Sequence, residues 1–182
     1  MRLVSRKSFF SIITLSVLGI YFSRCKNKLK NNYLYFSESE TIVMEKWAEV
    51  ILPERTDKMP SVEEAEVIRR LDEEFSFVSP DIQEEFHSAI LVLNVLPFFY
   101  NHWTYFENLS FQTRKKFLEQ VSQTESDIVR AVIGNLKLVT FLAYYGHKST
   151  WNQIGYDGPF GNPPEKWSET RIYYKSMIGE KK

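Results

Sequence analysis

Tyr144-Tyr145-Gly146-His147-Lys148-Ser149-Thr150-Trp151-Asn152-Gln153-Ile154-Gly155-Tyr156-Asp157-Gly158-Pro159 is the stretch whose reading decides how the chain folds. It follows a long helical pattern and holds three tyrosines, a tryptophan, three glycines and a closing proline. Gly146 predicts the end of that helix. Ser149 predicts a cap for one short turn over 150–154, terminated by Gly155, and Tyr156-Asp157-Gly158-Pro159 is turn chemistry. The stretch reads as a folded corner with nothing catalytic in it.

Upstream of the corner the apolar residues recur at helical spacing. Ser37 and Glu40 predict a capping box for a first helix carrying Ile42, Val43, Trp47, Val50 and Ile51, ended by Pro53. Ser61 and Glu64 predict a second box, with Ala65, Ile68, Leu71 and Phe75 as the stripe. Ser79-Pro80 opens a third helix on Ile82, Phe86, Ile90 and Leu93. Its second half, 90–96, is apolar nearly all round and predicts the central buried helix, broken at Pro97. An aromatic connector over 98–107 follows, then a fourth helix capped by Ser110 and bearing Phe111, Phe117, Leu118 and Val121. Thr124 and Asp127 start a fifth, with Ile128, Ala131, Val132, Leu136, Val139, Thr140 and Ala143 along it. No stretch alternates as a strand does. The expected fold is all-α: a compact bundle of about five helices, a short C-terminal helical turn and an irregular aromatic tail.

At 182 residues the chain suits one domain plus an appendage. Fourteen Phe, ten Tyr and four Trp supply a core without disulfides, and the single Cys25 cannot pair within the chain. The net charge of zero hides a split. Seven of the 23 basic residues lie in 1–32, which has no acidic residue, so the remainder sets 16 basic against 23 acidic residues, a net of −7. An acidic body with scattered basic residues argues against nucleic-acid binding.

The basic segment 1–32 predicts an export signal or membrane anchor rather than part of the fold. Arg2, Arg6 and Lys7 precede an uncharged run of fourteen residues, 9–22. That length suits a signal-peptide core better than a spanning helix. Ser5-Arg6-Lys7-Ser8-Phe9-Phe10 resembles the twin-arginine export motif with Lys7 in place of the second arginine; an ordinary basic n-region is the competing reading. Cys25 stands where a lipoprotein cysteine would, although Arg24 departs from the small residue expected before it. The expected organisation is 1–32 signal or anchor, 33–160 helical domain and 161–182 extended C-terminal tail.

Chemistry-bearing patterns are sparse. Glu84 and His87 form one Glu-x-x-His, where a di-iron carboxylate bundle needs two copies and two further Glu. His87, His102 and His147 lack ligand-like spacing. Dinucleotide and phosphate-loop glycine patterns are absent from the sequence. His147 reads as a helix C-terminal histidine meeting the dipole, with a partner contact as the alternative. Trp151, Tyr156, Trp167, Tyr173 and Tyr174 are the candidate partner contacts. Packing under the domain's own corner is the stronger reading for Trp151, whereas the tail aromatics lean towards a partner.

Three stretches resemble the small subunit (subunit 3, or gamma) family of gluconate 2-dehydrogenase and related flavin-dependent sugar dehydrogenases. They are Trp47-Ala48-Glu49-Val50-Ile51-Leu52-Pro53, the Phe-x-x-Leu-Ser-x-x-x-Arg of Phe106, Leu109, Ser110 and Arg114, and the corner itself. The resemblance covers about residues 35–160. It implies a helical, non-catalytic accessory subunit with no cofactor of its own. The implied partner is a large FAD-bearing dehydrogenase of the glucose–methanol–choline type, with or without a cytochrome subunit. In that family the small subunit commonly carries the export signal and is thought to assist maturation. This implies contact with the export machinery and a periplasmic place in a bacterial cell envelope, with or without a membrane anchor at the N-terminus. The alternative is a membrane-tethered structural protein with no dehydrogenase partner. A small metal enzyme built on Glu84 and His87 is the third reading.

Overall fold

A computed structural model describes residues 33–56, 58–158 and 167–179. Ser5, Arg6, Lys7, Phe9, Phe10 and Cys25, with the expected signal or anchor, lie outside the described residues. The described residues are all-α, without strands. The seven helices are α1 (Glu38–Ile51), α2 (Val67–Phe75), α3 (Pro80–Val95), α4 (Phe111–Ser122), α5 (Asp127–Tyr145), α6 (Lys148–Trp151) and α7 (Glu169–Met177). Two 3-10 turns, Leu96–Tyr100 and Phe106–Asn108, lie between α3 and α4.

Helix α1 starts where local chemistry directs. The Ser37 hydroxyl accepts from the Glu40 amide at 3.3 Å, and the Glu40 carboxylate accepts from the Ser37 amide at 2.9 Å. The helix ends at Ile51, ahead of Pro53. Thr41, Val43, Met44, Trp47 and Ala48 are buried, and α1 packs on α2, α3, α4 and the second 3-10 turn. The Trp47 indole N–H donates to Thr140 of α5 at 3.0 Å, and the Thr140 hydroxyl donates on to the Leu136 carbonyl at 2.7 Å. Of α3, expected to be the central buried helix in its second half, Ile90 and Leu93 are buried, the other residues of 90–95 are half-buried, and the helix packs on α1 and α5. Ile82, expected in its stripe, is exposed.

The Ser61–Glu64 box forms, but the regular helix begins only at Val67. Glu66 breaks it with a left-handed backbone, φ 50°. Ala65 and Val67 are both buried, and two positions apart on one continuous helix they would point about 200° from each other. The break turns both into the core, which offsets a strain on the order of 1–3 kcal/mol.

Ser126, not Thr124, caps α5, accepting from the Val129 amide. The core side of α5 is Val129, Leu136, Thr140, Ala143 and Tyr144; Ile128 and Ala131, expected in the core, face outward. The C-terminal segment is also corrected. Its residues 169–177 form α7, capped by Ser168, rather than extended tail.

Candidate docking surface

The corner holds itself together. Gly146 ends α5, as the sequence predicts, with φ −73° and so not in the left-handed conformation that glycine serves at many helix ends. Glycine is needed for closeness instead: a Cβ would lie 2.6 Å from the Leu142 carbonyl oxygen and 3.1 Å from the Arg70 guanidinium. The buried Tyr144 donates its hydroxyl to the Pro60 carbonyl at 2.8 Å. Thr150 is also buried and donates to the His147 carbonyl at 2.7 Å.

His147, rather than Ser149, caps the next turn: its Nδ1 accepts from the Ser149 amide, with the Ser149 hydroxyl 2.6 Å away. It thus serves a helix N-terminus, contrary to the dipole reading. Burial first, then the Arg70 charge, holds its pKa below the ordinary imidazole value, consistent with the neutral ring this role needs. Trp151 is half-buried, with Tyr156 against it edge-on at 5.2 Å and Gly158 packed on its ring. Gly155, expected to terminate the short turn, takes a left-handed φ of +67°.

The tail aromatics divide. Tyr174 is fully buried, which corrects its assignment as a partner contact. Its hydroxyl donates to Asp72 at 2.8 Å. Asp72, itself buried on α2, also accepts from the amides of Leu34 and Tyr35 at 2.8 Å and Phe36 at 2.7 Å. One carboxylate therefore clasps the entry to the domain and its last helix. Burial, and then the hydrogen bond to Asp72, drive the Tyr174 pKa far above that of an ordinary phenol. Arg171 pairs with Glu73 at 3.2 Å, and Tyr173 meets Phe77 edge-on. Trp167 lies under Lys175, whose Nζ is 3.4 Å from the ring centroid. Trp167 and Tyr173 remain about half exposed.

The second motif has a structural meaning at each residue. Phe106 and Leu109 enter the core, Ser110 caps α4 by accepting from Thr113, and Arg114 is buried. Arg114 donates to the Lys46 carbonyl at 2.7 Å and to Glu49 at 3.3 Å, tying α4 to α1.

Glu84 and His87 are not brought together as a site. Glu84 is exposed, whereas His87 Nδ1 meets Glu40 of α1 at 2.5 Å and its ring stacks on Tyr35. Burial works against ionisation of Glu40, but hydrogen bonds from His87 and Ser37 outweigh it and leave its pKa lowered. No group of three or more His, Cys, Asp or Glu is placed to hold a metal among the described residues. A shallow polar depression between the 55–64 loop and the corner is lined by Arg55, Lys58, Glu64 and Ser149, among others. Arg55 and Glu64 pair across it at 3.0 Å.

Among the described residues the most exposed large aromatic side chain lies in the aromatic connector. Trp103 is 86% exposed, and Phe98, Phe99 and Tyr105 stand out beside it in the chain. The segment that carries them is firmly built. Leu96, Pro97 and Phe106 are buried beneath it, and Tyr100 and His102 each meet Phe117 of α4 edge-on. The His102 amide donates to the Pro97 carbonyl at 3.0 Å, and Asn94 accepts from the Glu107 amide at 3.2 Å. Phe98 and Tyr105 pack edge-on at 5.2 Å. A rigid loop thus presents aromatic rings to solvent, the composition that anchors protein interfaces. The available signal was the aromatic density after Pro97; periodicity says nothing about exposure in an irregular segment. Neither a protein-family model, a curated protein nor a solved structure matches the chain.

Proposed function

We propose that this chain is a non-catalytic accessory subunit that escorts, matures or stabilises a large flavin-dependent dehydrogenase of the glucose–methanol–choline type during or after export. The observation that carries the reading is the rigid aromatic display around Trp103. A lone exposed ring needs no explanation, but Trp103 stands with Phe98, Phe99 and Tyr105 in one short segment, and a cluster of this kind marks an interaction surface. Trp167 and Tyr173 extend the supply of exposed aromatic surface. The motifs that carry the family resemblance are occupied with holding the fold, as a scaffold subunit requires: Trp47, Phe106 and Arg114 in the body, and Tyr144 and Thr150 at the corner.

In this reading FAD belongs to the large partner, and a cytochrome subunit is an optional third member. Segment 1–32 delivers or tethers the domain at a bacterial cell envelope, with Ser5–Phe10 as the export motif and Cys25 as a lipidation site. Tagging the C-terminus and recovering the chain from its native membranes tests this. The expected eluate contains a large second protein and the absorbance of oxidised flavin. A colourless chain eluting without a large partner would favour the membrane-tethered structural protein instead.

A further inference from the structure

Helix α5 carries two apolar stripes, and the fold uses only one. Ile128, Ala131, Asn135, Leu138 and Leu142 are all exposed, and their spacing of three, four, three and four residues is the heptad seam of a helix pair. Leu138 is 57% and Leu142 64% exposed. Among the described residues α5 is the one helix long and apolar enough to cross a membrane, yet little of it is buried. Length and composition of this kind do not by themselves place a helix in a bilayer.

We infer that this seam pairs with the same seam of a second copy of the chain, antiparallel and centred on Asn135. The charges of the helix favour such burial. Arg130 and Lys137 lie off the seam, Lys137 over Phe141, and Asp127, which flanks the seam beside Ala131, is paired with Arg130, so closing the seam covers no unpaired charge. Asn135 selects the occupant. A carboxamide buried against lipid or an apolar surface leaves its donors and acceptor unsatisfied, whereas two facing carboxamides satisfy each other. Reversing the helix about Asn135 sets Ile128 against Leu142 and brings Ala131 to the level of Val139, where the adjoining seam residue is Leu138, so the small side chain meets a bulky one. It also places the positive end of one helix beside the negative end of the other.

Gly134 adjoins the seam with nothing within 4 Å of where its Cβ would be. A mid-helix glycine is a local weakness that no packing inside the domain explains, and it lets a second helix approach closely. The seam is about 21 Å long. Two such faces reach the lower edge of specific interfaces, on the order of 1,000 Å² in total, so the pair is expected to be reversible.

This inference stands apart from the dehydrogenase reading and survives its failure. The test uses the purified full chain with Cys25→Ser, so that Asn135→Cys supplies the single thiol and the result does not depend on how the N-terminus reaches the envelope. Mild oxidation is expected to give a covalent dimer at least about tenfold faster than Gln153→Cys, an exposed control off the seam, because paired thiols react at raised effective concentration. Ile128→Cys alone is expected not to cross-link, whereas a mixture of Ile128→Cys and Leu142→Cys chains does. Adding Leu138→Glu to the Asn135→Cys chain should abolish the cross-link and leave thermal unfolding unchanged. An Asn135→Cys rate no faster than the control overturns the inference. So does a seam that fails to cross-link yet is shielded from a water-soluble maleimide, which would assign the face to lipid or to another subunit.

Discussion

Replacing Asp72 by Asn should loosen both ends of the domain at once. The carboxylate accepts four hydrogen bonds: Tyr35 and Phe36 amides on Oδ1, and the Leu34 amide and Tyr174 hydroxyl on Oδ2. Asparagine keeps the shape but offers one acceptor oxygen and one NH₂ group. The NH₂ can donate to the Tyr174 hydroxyl oxygen but to none of the three amides, so it takes the Oδ2 side and the Leu34 amide loses its acceptor. That lost bond, with the charge gone from the other three, makes the expected loss about 3–6 kcal/mol. A chain of this size loses roughly 2–4 °C of Tm per kcal/mol, giving a fall of roughly 6–24 °C. Tyr174→Phe removes one bond and should cost about 1.5–3 kcal/mol. The pair should not be additive, because both changes act on one oxygen. Urea unfolding of the full chain followed by circular dichroism measures the energies. Hydrogen exchange locates them: Asp72→Asn should lower protection at 34–36 and in α7 together, and Tyr174→Phe in α7 alone. A loss below about 1 kcal/mol, or an α7 indifferent to Asp72→Asn, would refute the clasp.

Three further outcomes follow from particular contacts. Trp103→Ala should leave the fold's Tm unchanged, because the side chain is 86% exposed, and weaken partner binding by about 2 kcal/mol or more, roughly thirtyfold, read by titration against the purified large subunit. Gly146→Ala should cost about 1–3 kcal/mol of stability in urea unfolding, since its Cβ must displace the Leu142 carbonyl or Arg70. His147 has a lowered pKa in the folded chain, so the unfolded chain binds more protons between that value and the ordinary 6.5. Its contribution is full above 6.5 and is lost as pH falls through the folded value. Amide protection at Ser149 and Thr150, corrected for intrinsic exchange, should decline over that window, and His147→Asn should remove the dependence.

Much of the fold was legible because its helix starts are set locally. Ser37 with Glu40, Ser110 ahead of Phe111, and Pro80 at a first helical position all sit where sequence places them. What escaped was decided across the chain. Asp72 lies among charged residues of α2 and looks like part of a solvated face; its partners are 36–38 residues before it and 102 residues after it. Glu66 breaks a good helical pattern because Ala65 and Val67 both have to be buried. Periodicity also could not rank the two stripes of α5, so Ile128 and Ala131 were placed with the core stripe. The short α7 was hidden because Ile172, Tyr173 and Met177 stay exposed and only Tyr174 turns inward. At the candidate surface, aromatic content was readable but its direction was not. Tyr174 went inward, while Trp103 points out from a loop whose neighbours anchor it.

Recovery of the C-terminally tagged full chain from native membranes, beside its Trp103→Ala variant at equal expression, tests the central claim most directly. The account predicts that the unaltered chain brings down a large protein with the spectrum of oxidised flavin, and that the variant folds equally well but brings down much less. A chain that elutes without flavin, or a flavoprotein retained equally by the variant, would contradict it.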